Sequence, residues 1–565
     1  MKVVIIGGVA GGATAAARIR RLDEYAQILI FERSGFVSYA NCGLPYYVGG
    51  VITDQAELTL QTPERFWTRM RVEVFVRHEV THVDPIRKVV CVHNLNTGEQ
   101  FEESYDKLVL APGAKPSQTE LPGAELPEVF TLRTVEDALN IRSFVVQNKP
   151  KTAVLAGGGY ISLELAENLR NLGIDVTVVQ RPKQLLKPLD YEMACFVHAK
   201  MRQNGVKLLL GHAVKGFQHD ENGGVRVLLD QAQPLHADLA VLAIGVTPDT
   251  VLARRAGLAL DARGCILVND RMEASLPDVY AVGDAVQVQN RVTNKPAHIP
   301  LAGPANRQAR IAADNICGGD SHYRGSLGSS VIKLFDMTVA TVGIREQDAR
   351  QAGIDCDKVY LAPANHAGYY PGGRVMSMKV LFDKTSYQLL GAQIVGCEGV
   401  DKRIDVIATA MCAGLPAPEL ANLELAYAPP FSSAKDPVNV AGYIIQNIAY
   451  GRVRNAHWQD VDNLPRDGSC VLLDVRTEQE FAAGHVDGFM NIPLDELREK
   501  LLKLPPNRPV YVNCQSGLRS YLACRMLTQY GFVCYNISGG YRMRQCLLEE
   551  QCAAERAWPC GMQRD

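Results

Sequence analysis

The feature that most constrains this chain is a strand, a glycine-rich turn and a helix that occur in that order twice. Val3 to Ile6 is an apolar strand, followed by Gly7-Gly8-Val9-Ala10-Gly11-Gly12 and an Ala-rich helix through about Arg21. A second strand, Ile28 to Phe31, ends in Glu32. The same order returns in the strand Ala153 to Ala156, the turn Gly157-Gly158-Gly159-Tyr160-Ile161-Ser162, the helix Leu163 to Leu172 and the strand Val176 to Val179. In a βαβ unit of this kind the glycines admit a pyrophosphate to a helix N-terminus, and an acid after the second strand takes a ribose hydroxyl. Val9 stands where the usual GxGxxG has its middle glycine, so placement between strand and helix carries more weight than the fingerprint. Two such units predict an α/β fold with one site for a flavin and one for a nicotinamide.

At 565 residues the chain is too long for one core, and about two to five domains are expected. Its 47 % hydrophobic content and net charge of -2 give no bulk electrostatic case for nucleic acid or membrane. No apolar run approaches the roughly 18 residues that cross a bilayer. The start, Met1-Lys2-Val3-Val4-Ile5-Ile6, is a short strand broken by glycines rather than a signal peptide. Fifteen cysteines are scattered without CxxC pairs, which predicts reduced thiols and a cytoplasmic protein.

Cys42 is the exception among those cysteines. It lies in Ser38-Tyr39-Ala40-Asn41-Cys42-Gly43-Leu44-Pro45-Tyr46, close behind the first nucleotide unit, and Tyr47 occupies the position where dithiol flavin reductases carry a second cysteine. A lone thiol cannot store two electrons as an internal disulfide. It must become a sulfenic acid or bond to a sulfur brought by a substrate. Further along, Leu108-Val109-Leu110-Ala111-Pro112-Gly113 and Leu242-Ala243-Ile244-Gly245 follow the two units, and Val279-Tyr280-Ala281-Val282-Gly283-Asp284 places an acid where a flavin ribityl chain can use it.

In this order, these features resemble the pyridine nucleotide-disulfide oxidoreductases, and within them the single-cysteine coenzyme A disulfide reductases. Four separated motifs carry the resemblance: Asn41 to Tyr46, His366-Ala367-Gly368-Tyr369-Tyr370-Pro371-Gly372, Asp401-Lys402-Arg403-Ile404-Asp405-Val406 and Tyr427-Ala428-Pro429-Pro430-Phe431. The resemblance implies two Rossmann-like domains, FAD-binding at 1–113 with 247–325 and NAD(P)-binding at 114–246. It also implies an α+β dimerisation domain at 326–450. Gly7, Gly8, Val9, Ala10, Gly12, Glu32 and Arg33 are then flavin contacts, with Val80, Ala111, Gly113, Gly283, Asp284 and Ala302. Gly157, Gly159, Tyr160, Ile161, Arg181 and Gly245 fall to the nicotinamide side.

Thr14, Arg18 and Arg21 share one face of the first helix by their spacing. Alone they would be a solvated basic surface, whereas the resemblance makes them coenzyme A contacts, completed by Ser38 and Asn41. Met70 and Asn306 depart from the lysine and histidine that relatives carry. The resemblance further implies a homodimer in which Tyr369 and Tyr427 reach the partner's active cysteine, and makes Asn306 and Lys435 substrate contacts. A tyrosine in β-rich sequence is otherwise packing, but a phenol beside a thiolate can assist proton transfer to a leaving sulfur. A single-cysteine NAD(P)H oxidase or peroxidase remains the rival, since such relatives use the sulfenic acid.

At the end of the second nucleotide strand stand Gln180 and Arg181, with Lys183 beyond, in place of an acid. Loss of the acid relieves repulsion of a 2′-phosphate and Arg181 can bind one, so NADPH is expected, with NADH the other candidate. Ser162 replaces the last glycine of the fingerprint.

The polar stretch around 451–460 reads as a linker to a compact α/β unit at 461–550, with 551–565 a tail. Cys514-Gln515-Ser516-Gly517-Leu518-Arg519-Ser520 follows a strand and opens a helix, a cradle of N–H groups that favours an anionic sulfur. With Asp474-Val475-Arg476, Gly484-His485-Val486-Asp487-Gly488, Asn491-Ile492-Pro493 and Gly539-Gly540-Tyr541, this unit resembles rhodanese. Its Cys-to-Arg loop is one residue shorter than that of cysteine phosphatases, which suits sulfane sulfur. Cys514 is the expected persulfide carrier, stabilised by Arg519 and the loop amides; the alternative is a non-catalytic docking or sulfur-binding module. The combined expectation is an FAD enzyme that uses NAD(P)H to reduce CoA disulfide, CoA persulfide or polysulfide through Cys42.

Overall fold

The computed structural model describes residues 1–117, 121–221 and 223–556, arranged as two compact units. The first comprises 1–183 with 205–328, and the second 184–204 with 329–565.

Two parallel five-stranded sheets organise the first unit. In one, Lys2–Ile6 lies at the centre, between Lys107–Leu110 and Gln27–Glu32, with Val279–Ala281 and Val72–Val76 at the edges. In the other, Thr152–Ala156 lies between Asp175–Gln180 and Leu239–Leu242. The central strands read as continuous apolar runs because both faces are covered, as a parallel sheet requires, and Val3, Val4 and Ile5 are fully buried. Each centre strand leads into a glycine of positive φ: +93° at Gly7 and +116° at Gly157. A Cβ on either would lie 2.2 Å from a backbone carbonyl, that of Ala111 or Ala243, so both turns exclude a side chain by conformation and by contact. Three-stranded antiparallel sheets flank the pair, at His78–Ser104 and Val214–Ala237.

The second unit holds an antiparallel five-stranded sheet in the order Ser330–Leu334, Met337–Gly343, Leu389–Gly396, Ser377–Asp383, Cys356–Leu361. A further parallel sheet runs Asn455–Ala456, Cys534–Ile537, Val510–Asn513, Val471–Asp474, Met490–Asn491. Three boundaries differ from those expected. Residues 184–204, read as part of one nucleotide domain, belong to the second unit. Their helix Tyr191–Gln203 is held there by charge. Asp190, Glu192 and Glu346 surround the Lys379 ammonium, 2.7 Å from Asp190 and 2.5 Å from Glu192. Burial would push Lys379 down, but the three carboxylates outweigh it and hold its pKa above the usual range.

The stretch read as a linker, 451–460, contributes an edge strand, Asn455–Ala456, and the start of the helix Trp458–Asp462. Trp458 is buried and its indole N–H donates to Gly540 O at 2.8 Å, which ties this segment into the domain rather than leaving it as a tether. The tail boundary moves as well. The helix Gly540–Arg556 carries past 550, and Glu550 is buried against His198 and Arg202. Cys560 lies outside the described residues. Among those described, no helix is long and apolar enough to cross a membrane.

Candidate functional site

The first sheet opens at its C-terminal edge on a cavity of about 710 Å³. Gly7, Val9, Ala10, Ala111, Glu32, Arg33 and Val80 line it. Gly113, Gly283 and Asp284 complete it beside Asn41. Gly8 and Gly12 are the turn's internal supports: the Gly8 N–H donates to Glu32 Oε2 at 2.9 Å, and a Cβ on Gly12 would strike Gly7 O. Burial raises the Glu32 pKa, while the Gly8 and Ser34 N–H groups pull it back. Each Glu32 oxygen accepts one backbone N–H and keeps a lone pair for a ribose hydroxyl. Arg33 pairs with Asp249 at 2.8 Å and Asp284 with Arg133 at 2.9 Å. Ala302 begins the helix Ala302–Ile316, but Ala305, one turn further, is the residue of that helix on the cavity wall. A cavity of this size, with a glycine turn in its lining and an acid at the end of the second strand, fits a flavin dinucleotide.

Cys42 sits on a single turn, Asn41–Gly43, that runs into the helix Leu44–Val48, where Pro45 stands in the first turn. Its thiol reaches solvent although its surroundings are densely packed. Ser38 holds a left-handed φ of 48°, and the buried Asn41 Oδ1 has no partner, so an acceptor is left for a ligand. Sequence reasoning missed Glu164. It lies one turn after Tyr160 on the second nucleotide helix, and Tyr46 donates to its Oε1 at 3.2 Å. Burial pushes the Glu164 carboxyl up to about 7, against the Tyr46 hydrogen bond. Burial also raises the Cys42 thiol, and Glu164 is the first charge to add to that. Glu164 is thus a carboxyl beside the thiol, placed to exchange a proton with it.

The helix face predicted to bind coenzyme A is partly committed. Thr14 donates to Asn306 Oδ1 at 2.5 Å, and Arg18 is paired with Asp314 at 2.6 Å. An incoming phosphate would have to share Arg18 with that carboxylate. Arg21 is open, and with Arg20, Arg69 and Met70 it borders a separate hollow of about 460 Å³. Arg20 serves the fold there, its guanidinium spent on five backbone carbonyls.

The second glycine turn mirrors the first with a neutral residue. The Gly158 N–H donates to Gln180 Oε1 at 3.0 Å, as Gly8 does to Glu32. Gly157, Gly159, Tyr160 and Ile161 form the turn and helix start at this sheet's C-terminal edge, with Gly245 after the neighbouring strand and Arg181 exposed beyond Gln180. Ser162 is no cofactor contact: it is buried, and its hydroxyl donates to Gly157 O at 2.6 Å, at the position where Gly12 stands in the first turn.

In the second unit, Tyr369 and Tyr427 lie in two loops and meet through their hydroxyls at 2.5 Å. Tyr369 is 75 % exposed and Tyr427 44 %, and Lys435 is exposed as well. The bond to Tyr369 raises the Tyr427 pKa.

Cys514 is buried at the end of the strand Val510–Asn513, and the helix Leu518–Gln529 begins four residues later. The Gly517 N–H donates to its sulfur at 3.1 Å and the Ser520 hydroxyl lies 3.3 Å away. Arg519, expected to stabilise that sulfur, makes a bidentate pair with Glu480, both contacts at 2.7 Å, and also interacts electrostatically with Cys514. That bond pulls the Glu480 pKa down to about 2. The backbone donor to the sulfur is thus the Gly517 N–H, while the Ser520 hydroxyl donates to Asn536 Oδ1 at 2.6 Å and Arg519 adds a positive charge nearby. Glu480 was legible as the last residue of a capping box with Thr477, though its arginine was not.

Residues 1–308 match the pyridine nucleotide-disulphide oxidoreductase model, 329–437 its dimerisation domain and 457–543 the rhodanese-like domain. A coenzyme A disulfide reductase of Staphylococcus aureus is 38 % identical over 443 residues, covering 78 % of this chain and 99 % of its own. The crystal structure of reduced Bacillus anthracis CoADR-RHD is 45 % identical with a TM-score of 0.94, covering 97 % of this chain and 98 % of that one. An NAD-dependent persulfide reductase from A. fulgidus is 36 % identical with a TM-score of 0.89, covering 96 % and 100 %.

Proposed function

The chain belongs to the pyridine nucleotide-disulphide oxidoreductases, and from that premise we propose that it reduces the sulfur–sulfur bond of CoA disulfide, CoA persulfide or polysulfide through Cys42. The observation that carries this is one exposed cysteine, on the turn whose Asn41 lines the flavin cavity, with no second cysteine at position 47. Bound FAD, kept reduced by NAD(P)H, would supply the two electrons that cut a disulfide formed on Cys42. The Cys42 sulfur attacks one sulfur of CoA disulfide, its own proton passing to a base, and one CoA leaves as the thiolate and takes a proton. The mixed disulfide left on Cys42 is then cut by the two electrons, releasing the second CoA and restoring the cysteine. With CoA persulfide the outer sulfur leaves as hydrosulfide. Asn41 and Ser38 hold the thiol end of the substrate, and Arg21 with Arg69 offers charge for its phosphates. In the homodimer that the dimerisation domain suggests, Tyr369 and Tyr427 serve the partner's cysteine. Cys514 carries sulfane sulfur.

The test is anaerobic NADPH turnover with CoA disulfide, CoA persulfide and polysulfide, set against oxygen consumption without them. Sulfur reduction is expected to exceed oxygen reduction. Faster oxygen consumption would instead favour a single-cysteine oxidase.

For the nicotinamide we propose NADPH. Gln180 occupies the acid's place by bonding Gly158, so no carboxylate opposes a 2′-phosphate, and Arg181 is free at the surface to meet one. A hydrogen bond to a charged group contributes about 1.5–3 kcal/mol, so Arg181→Glu should shift selectivity toward NADH by roughly tenfold or more. The ratio of kcat/KM for the two cofactors measures this, and an unchanged ratio overturns the assignment.

A further inference from the structure

Tyr369 and Tyr427 are exposed, so no core packing fixes their mutual placement. Their register rests on whatever anchors the two loops that carry them, and the anchor is a buried arginine. Arg403, on the helix Val400–Ala413, is 1 % exposed. Its Nη2 lies 3.0 Å from Asn365 O, which begins the loop leading to Tyr369. The same nitrogen lies 3.3 Å from Phe431 O, 3.0 Å from Ser432 Oγ and 3.0 Å from Asp436 Oδ2, all on the segment that follows Tyr427. Ser432 donates to Asp436 at 2.6 Å, and its carbonyl accepts the Ala367 N–H at 3.0 Å, a second tie between the loops. Ser432 and Asp436 are themselves buried, and Asp436 caps the helix Pro437–Ala449 through the Val438 N–H. One guanidinium therefore joins both loops to two helices, and beyond it the two phenols meet at 2.5 Å.

We propose that Arg403 is a positioning residue for the tyrosine pair: by holding both loops it keeps Tyr369 and Tyr427 within hydrogen-bond distance, so that the two phenols act as one proton donor. This rests on the function proposed above. When Cys42 displaces a CoA thiolate, one phenol gives its proton to the leaving sulfur. The phenolate shares the proton of the other phenol and regains its own from solvent. No electrons change hands in that transfer. Without the guanidinium the loops part and each phenol acts alone.

The experiment uses the full-length, FAD-loaded protein as wild type, Arg403→Gln, Arg403→Lys, the double variant Tyr369→Phe/Tyr427→Phe, and that double variant with Arg403→Gln added. A displacement on the scale of 1 Å costs roughly a hundredfold in rate, so Arg403→Gln should lower kcat for CoA disulfide about ten- to a hundredfold. Its KM, FAD content and rate of flavin reduction by NADPH should stay near wild type, and Arg403→Lys should recover part of the loss. On the tyrosine-free background the same substitution should cost nothing further. An equal loss there, or an unchanged kcat in the wild-type background, overturns the positioning role. If Arg403→Gln fails to fold, the same comparison is made with Arg403→Lys. If the tyrosine double variant keeps wild-type kcat while Arg403→Gln does not, the phenols' role falls and takes the inference with it, leaving Cys42 chemistry intact.

Discussion

Cys42→Ser is expected to abolish reduction of CoA disulfide, CoA persulfide and polysulfide, while FAD stays bound and NADPH still bleaches it. The two functions separate because their residues do. The cavity that fits the flavin is built from glycine turns, Glu32 and Asp284, and only Asn41 of the Cys42 turn lines it. A serine hydroxyl at this point can neither form a mixed disulfide nor leave one, and no second thiol stands at position 47 to take over. Activity should fall by at least about 10³-fold, the scale seen when a nucleophile is deleted. Absorbance of bound flavin and anaerobic turnover on one preparation measure both halves. Retained sulfur reduction sinks the role of Cys42, and loss of FAD would show that the turn supports the flavin as well.

What could be read in advance follows from range. The two nucleotide turns announce themselves because strand, glycines and helix are contiguous, and a side chain at Gly7 or Gly157 would strike a carbonyl. Cys514 was legible for the same reason, its Gly517 donor and the Ser520 hydroxyl lying within six residues of it. Interactions that join distant segments left no such trace. The Lys379 cluster draws 184–204 out of the nucleotide domain through Asp190 and Glu192, about 190 residues away in the chain. Arg18 looked like a free cation because its partner Asp314 lies 296 positions on. Arg519 looked like a sulfur ligand because Glu480 sits before another strand altogether. Trp458 hid a strand and helix in apparently polar linker, since its burial is against Gly540. In each case the pairing, not the residue type, decided what the side chain does.

The pairing of Arg519 with Glu480 sharpens the expectation for the second thiol. Cys514→Ser should eliminate sulfurtransferase activity with thiosulfate or polysulfide, yet leave reduction of CoA disulfide by Cys42 near the wild-type rate. The sulfur at Cys514 accepts the Gly517 N–H at 3.1 Å, a donor suited to a persulfide-bearing sulfur. A serine there keeps that donor but cannot carry sulfane sulfur, so the loss should be complete rather than graded. An ordinary disulfide has no need of such a carrier, which is why Cys42 should be indifferent to the change. Polysulfide reduction discriminates between roles for the fusion: it should fall if Cys514 loads sulfur for the reductase. The edge strand Asn455–Ala456 leaves only a few residues of free chain after the helix Pro437–Ala449, so tethering raises local concentration over a narrow set of geometries. All three activities are to be measured on the one variant. Polysulfide reduction at the wild-type rate would show that Cys514 is not an obligatory carrier, and CoA-disulfide reduction lost together with sulfur transfer would show that the two thiols work as one site.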